Sequence, residues 1–276
     1  MALVLPIINT CNQNCRFCSA AGRAEKTELK DLFDLIDSEK ESVTISGGEP
    51  ILSENLPAII KHIKQRGLFC ELQTNGVLLS NIDLARKLTE AKVDLFNVNF
   101  PSHLLKIADK LTRTSGYHQY RLAGILNLLK LRASVRLTHV ITRQNYRHLL
   151  AYINFVAKKL SSIKFIQFSF VKATGRADVD IKQIPSYKIV SPFLKKALAK
   201  SQENGIDFIV DHIPMCCLGR FAQKHVDYKK IISGADRRYA AIEKQKIAQC
   251  RHCKYFNFCP GVRKDHLKVF GDRIFK

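Results

Sequence analysis

The sequence predicts an α/β fold, a partial (β/α)6 TIM-like barrel with a small C-terminal extension. Three observations carry this. Short segments rich in branched or aromatic residues alternate six times with amphipathic ones, the chemically distinctive loops follow the strand-like segments, and the alternation stops near residue 210. Strands each followed by a helix imply right-handed βαβ units on an all-parallel sheet, short of a full barrel by two units.

The strand segments are Leu3 to Ile8, Val43 to Ser46, Leu68 to Gln73, Val93 to Phe100, Ser134 to Thr142 and Ile163 to Val171. Between them, Leu29, Leu32, Phe33 and Ile36 recur at i, i+3, i+4, i+7, which gives a helix one apolar face. Leu56, Ile59, Ile60 and Ile63 repeat the pattern, as do Leu122, Ile125, Leu126 and Leu129. Further helices fit Ile82 to Ala91, Tyr146 to Leu160 and Tyr187 to Asn204, and Ile206 to Val210 is a candidate seventh strand. The expected organisation is a core over 1–210 and an extension over 211–276.

The 276 residues are 46% hydrophobic and 25% charged, as in ordinary globular proteins, and no apolar run reaches membrane-spanning length. The segment Met1 to Ile8 lacks a basic n-region and a small-residue cleavage site, so it reads as a strand and not a signal peptide. Nine cysteines, an odd number in tight groups, point to reduced metal-binding thiols in a cytoplasm. Cys70 stands apart in an apolar segment and is expected to be a buried structural thiol. The net charge of +21 is uneven: from Pro214 onward, 15 Lys/Arg stand against 5 Asp/Glu. Such a field attracts a polyanion such as RNA or an acidic peptide, but charge does not name the partner.

Cys11, Cys15 and Cys18 form a Cys-X3-Cys-X2-Cys run directly after the first strand. Three thiolates can hold three irons of a [4Fe-4S] cluster and leave the fourth open. In parallel α/β sheets the site gathers at the carboxyl ends of the strands. There, Gly47-Gly48-Glu49-Pro50 follows the second strand, Thr74-Asn75-Gly76 the third and Pro101-Ser102-His103 the fourth, so four loops are expected on one rim.

Cys11-Asn-Gln-Asn-Cys15-Arg-Phe-Cys18, Ser46-Gly-Gly-Glu-Pro50 and Gln73-Thr-Asn-Gly76, in this order and spacing, resemble the core of the radical S-adenosylmethionine (SAM) enzymes. The resemblance implies that SAM chelates the open iron and that its reductive cleavage to a 5′-deoxyadenosyl radical removes a substrate hydrogen. A flavodoxin or ferredoxin would donate the electron. It further implies Gly47, Gly48, Glu49 and Pro50 at the SAM amine, Gln73 and Asn99 at the ribose or carboxylate, and Phe17 at the adenine. Paired glycines let backbone carbonyls approach closely, and Glu49 can add negative charge near an ammonium.

The second group is Cys216-Cys217, Cys250-Arg-His-Cys253 and Cys259. It resembles the auxiliary-cluster region of the SPASM and twitch subgroup, whose members mostly modify peptides. The resemblance implies a second [4Fe-4S] cluster on Cys250, Cys253, Cys259 and one of Cys216 or Cys217. Thiolates from two segments equally suit tetrahedral zinc. His252 is expected to be a solvent-facing loop histidine. Arg121 and Asn145, which also resemble SPASM-type sequences, are expected in capping or surface roles. No catalytic base is assigned. A peptide or protein leads as the expected substrate, and RNA or a nucleotide is the alternative. The alternative rests on Tyr228, Tyr239, Tyr255, Phe256 and Phe258 interleaved with basic residues, since aromatics stack bases while cations hold phosphates. A non-catalytic iron–sulfur carrier or regulatory protein is the third reading.

Overall fold

A computed structural model describes residues 3–21, 28–234 and 238–271; the side chain of Tyr239 lies outside what is described. Seven strands form one sheet in the order of the chain: β1 (Leu3–Pro6), β2 (Ser42–Ser46), β3 (Phe69–Thr74), β4 (Leu95–Asn99), β5 (Val135–Ile141), β6 (Phe165–Phe170) and β7 (Phe208–Asp211). The candidate seventh strand is therefore present. Consecutive pairs from β1 to β5, and β6 with β7, run parallel. The intervening helices are α1 (Leu29–Asp37), α2 (Leu56–Gln65), α3 (Ile82–Glu90), α4 (Leu105–Thr112), α5 (Tyr117–Lys130), α6 (Leu149–Lys159), the single turn α7 (Arg176–Val179) and α8 (Tyr187–Glu203).

The chain divides into two compact units. The first comprises Met1–Cys15, Ala20–Thr138 and Ser162–Lys164; the second comprises Arg16–Ser19, His139–Ser161 and Phe165–Lys276. In the first, alternate strand residues Val43, Ile45, Cys70, Leu72, Phe96, Val98, Val135 and Leu137 are buried, as are Ile59, Ile60 and Ile63 of α2. Polar neighbours on the opposite face bond across strands. Arg136 Nη2 and Asn97 Nδ2 donate to Glu71 Oε1 at 2.6 and 3.1 Å, and Thr138 Oγ1 donates to Asn97 Oδ1 at 2.6 Å. The period of two thus separates an apolar helix-facing side from a polar one.

In the second unit the chain leaves β7 into short elements: α9 (Val226–Ile232), α10 (Arg238–Glu243), β8 (Lys244–Gln245), β9 (Val262–Arg263) and α11 (Lys264–Phe270), with β8 antiparallel to β9. Ion pairs hold this tail. The buried Arg263 donates to Glu243 at 2.6 Å and to Asp265 at 2.9 Å, and Asp265 Oδ2 accepts from the backbone N–H of Ala173 at 2.9 Å, just past β6. Lys244 is buried against Asp227. His266 stacks on Tyr187 with ring centres 3.6 Å apart. Among the described residues, no helix is long and apolar enough to cross a membrane.

Candidate active site

The Gly-Gly-Glu-Pro turn is built by close backbone approach. Gly47 has φ +131°, and a Cβ on Gly48 would lie 2.2 Å from Thr10 O and 2.6 Å from Asn9 O. Only glycine fits such a contact. The turn is laced to the chain entering the cysteine loop, Gly48 N–H donating to Ile8 O at 2.6 Å and Glu49 N–H to Thr10 O at 2.8 Å.

Glu49 is fully buried. Its carboxylate accepts from Thr74 Oγ1 and Asn75 N, both at 2.7 Å, and from Ile51 N at 3.3 Å. Burial pushes its carboxyl pKa up, and the hydrogen bonds from Asn75, Thr74 and Ile51 oppose the shift. The carboxylate therefore clasps the β2 loop to the β3 loop, and any charge it lends to a bound amine acts through that turn.

Arg121 differs most from its expected capping or surface role: it is fully buried on α5. Nε donates to Asn75 O at 2.9 Å and Nη2 to Gln13 Oε1 at 3.0 Å. Burial pulls the guanidinium pKa down, while the charges of Cys15, Asp109 and Glu49 hold it up. Gln13, itself buried, reaches Cys11 and Cys15: its N–H lies 3.4 Å from Cys11 Sγ, and Cys15 Sγ lies 3.4 Å from its carboxamide oxygen. Asn75 Nδ2 donates to Asn12 Oδ1 at 2.7 Å. Sequence reading missed Gln13 and the true setting of Arg121, although Arg121 lies four residues before Ile125 on the buried stripe of α5.

Gln73 accepts from Ser46 Oγ at 3.1 Å on the polar sheet face, and Asn99 ends β4 with Nδ2 3.5 Å from Thr138 O. Pro50 is buried and opens a short 3-10 turn. Phe17 is buried within the second unit. The neighbouring Cys18 accepts through its carbonyl from Arg176 N–H at 3.1 Å. Asn145 is buried and caps the loop after β5, accepting from Thr142 N at 2.7 Å and donating to Val140 O at 2.8 Å. Cys70 is fully buried, and its thiol is pushed up to about 12 by burial.

In the second unit a cavity of about 520 Å³ is lined by Cys216, Cys217, Cys250, Cys253 and Cys259, with Lys195 of α8 among its other walls. Cys216 is exposed and Cys217 buried. The hydrogen bond from Cys217 draws the Cys216 thiol down to about 7, and that same bond, with burial, pushes Cys217 well up. His252 is exposed, as expected. Among the described residues, no three His, Cys, Asp or Glu side chains are drawn tightly enough to share one ion.

Residues 5–156, more than half of the chain, match the Radical SAM superfamily. The chain belongs to this superfamily. Among curated relatives of this radical SAM chain, a 7,8-dihydro-6-hydroxymethylpterin dimethyltransferase of Methanocaldococcus jannaschii is 27% identical over 226 residues, covering 73% of this chain and 42% of the relative. A probable GTP 3′,8-cyclase of Sulfolobus acidocaldarius is 29% identical over 170 residues, covering 56% of this chain and 51% of the relative. The radical SAM chain thus spans about half the length of these relatives or less. In structure it is similar to Streptococcus suis SuiB bound to S-adenosylmethionine, with TM-score 0.70 and 14% identity over 99% of this chain and 75% of that one. It is also similar to anSMEcpe with bound AdoMet and a peptide, with TM-score 0.61 and 18% identity over 75% of this chain and 62% of that one. These likenesses establish the fold.

Membership supports an enzyme and implies a [4Fe-4S] cluster and SAM. The residues present fit them. Beside Cys15, two buried donors, Gln13 Nε2 and Arg121 Nη1, have no partner. A buried guanidinium and spare N–H groups beside a thiol suit a sulfur-ligated, anionic cluster.

Proposed function

We propose that this radical SAM enzyme modifies a peptide or protein, with one [4Fe-4S] cluster on Cys11, Cys15 and Cys18 and a second on Cys216, Cys250, Cys253 and Cys259. The observation that carries it is the tail cavity, where thiols from two segments meet. Cys216 is taken as the fourth ligand because it is exposed where the cavity opens, whereas Cys217 is buried. Residues 211–276 then form a cluster-bearing extension on a core over 1–210. A similarity that runs over 99% of the chain to SuiB, a protein also solved with its precursor peptide, supports a peptide substrate.

When bound, the cluster and SAM supply a 5′-deoxyadenosyl radical that takes a hydrogen atom from the substrate. The protein's own work is positioning. Glu49 fixes the turn whose backbone carbonyls would receive the SAM amine, and Phe17, Gln73 and Asn99 would orient the adenine, ribose and carboxylate. The reduced thiols suit a cytoplasm, and the +21 charge favours an acidic electron donor such as flavodoxin or ferredoxin.

A second reading, a nucleotide or related heterocycle as substrate, is favoured by the curated relatives named for GTP and a pterin. One assay separates the two. Reduced, reconstituted enzyme is given cell extract treated with protease or RNase, or a low-mass filtrate, and 5′-deoxyadenosine is measured. Stimulation lost only with protease supports the peptide substrate. Stimulation by the filtrate, or its loss only with RNase, overturns it.

A further inference from the structure

Arg121 fixes the orientation of the Gln13 carboxamide. Arg121 has only N–H donors, so the atom it meets at 3.0 Å must be the carboxamide oxygen. This settles which way the carboxamide faces and turns Nε2 away from Arg121. That Nε2 is buried without an acceptor, and so is Arg121 Nη1, on a side chain with no exposed surface. Two unpaired buried donors on one hydrogen-bonded pair are costly unless a ligand completes them. Sulfur lies beside this pair: Cys15 Sγ is 3.4 Å from the carboxamide oxygen, the atom Arg121 also meets, and the backbone N–H of Gln13 is 3.4 Å from Cys11 Sγ.

Arg121 is held rigidly. Its Nε is tied to Asn75 O at 2.9 Å, and α5 packs so closely on the β3 turn that a Cβ on Gly124 would lie 2.2 Å from Gly76 O. Lysine has no planar fork and could not bridge Asn75 O and Gln13 Oε1 in this way.

We propose that Arg121 is a positioning residue for the iron–sulfur cluster: it locks the Gln13 carboxamide so that Gln13 Nε2 and Arg121 Nη1 donate to sulfur beside Cys15. The inference rests on the reading that Cys11, Cys15 and Cys18 hold the cluster. Hydrogen bonds to cluster sulfur and a fixed cation stabilise the more negative, reduced state, so the pair raises the reduction potential of that cluster.

The test compares wild type, Arg121→Met, Arg121→Lys and Gln13→Leu, each reconstituted anaerobically. Iron content, the EPR spectrum of the reduced protein with and without SAM, and the midpoint potential of the SAM-responsive component are measured. Both Arg121→Met and Gln13→Leu are expected to shift the reduction equilibrium about tenfold toward the oxidised cluster, about 59 mV for one electron. Arg121→Lys, which keeps charge without the fork, is expected to fall between. Gln13→Leu removes no buried charge, so it decides the matter if Arg121→Met does not fold. An unchanged potential in Gln13→Leu at full iron content overturns the inference alone. Absence of any SAM-responsive signal in wild type overturns the cluster reading and the inference together.

Discussion

At the scale of the residue, the site depends on atoms with no room to move. Gly48→Ala sets a Cβ 2.2 Å from Thr10 O, so the turn and the chain entering the cysteine loop must separate. The expected outcome is a urea midpoint lowered by an amount equivalent to about 1–3 kcal/mol, with loss of the SAM-responsive EPR signal. Glu49→Gln turns an NH2 group toward a backbone or hydroxyl donor. It should cost about 1–3 kcal/mol in the same measurement, because a buried donor loses its acceptor. The glycines of this turn were legible because their type is their message. Arg121 was not: its identity suggests a surface, and only its place on the stripe shared with Ile125 and Leu128 signals burial.

At the scale of the element, β1 to β7 follow the segments read from sequence, and the observed strands are shorter by a residue or more at most ends. The helix α4 was missed because its stripe is short, with only Ala108, Leu111 and Thr112 buried among charged neighbours. The tail was illegible for another reason: ion pairs hold it, and pairing leaves no periodic trace. Arg263→Met removes the guanidinium partner of the largely buried Asp265, while the half-exposed Glu243 keeps Lys172, so the expected loss is about 1–3 kcal/mol. Amide exchange should then lose protection across 244–271 while β2 to β4 keep theirs.

The buried histidines give the tail a pH response. Burial lowers His266 from 6.5 to about 4, and lowers His212 and His225 in the same direction. Between these values the unfolded chain binds protons that the folded chain does not. Stability is therefore full above about pH 6.5 and is lost as pH falls toward 4, by at most about 3 kcal/mol for His266. Urea unfolding at about pH 7.5 and about pH 5 should show this difference, and His266→Phe should reduce it.

For the whole molecule, metal content discriminates most sharply. The proposed ligand sets predict about eight irons per chain; about four irons with one zinc would reassign the tail. Cys216→Ser should fall to about four irons, and Cys217→Ser should keep about eight. The superfamily and the parallel sheet were legible in the sequence because motif spacing and strand order both run along the chain. The substrate was not, because the tail cavity is assembled from segments whose meeting no local pattern announces.

The bond between Arg121 and Gln13 joins residues 108 positions apart. On a ribosome moving at about 5–20 residues per second, the cysteine loop therefore emerges roughly five to twenty seconds before the guanidinium that pins it. During that interval Gln13, which meets both thiols, is not yet locked by α5, so the loop is expected to hold iron only once α5 has arrived. Ribosome-arrested chains ending before Tyr117 should fail to retain iron, whereas chains arrested with all of β5 outside the exit tunnel should hold it.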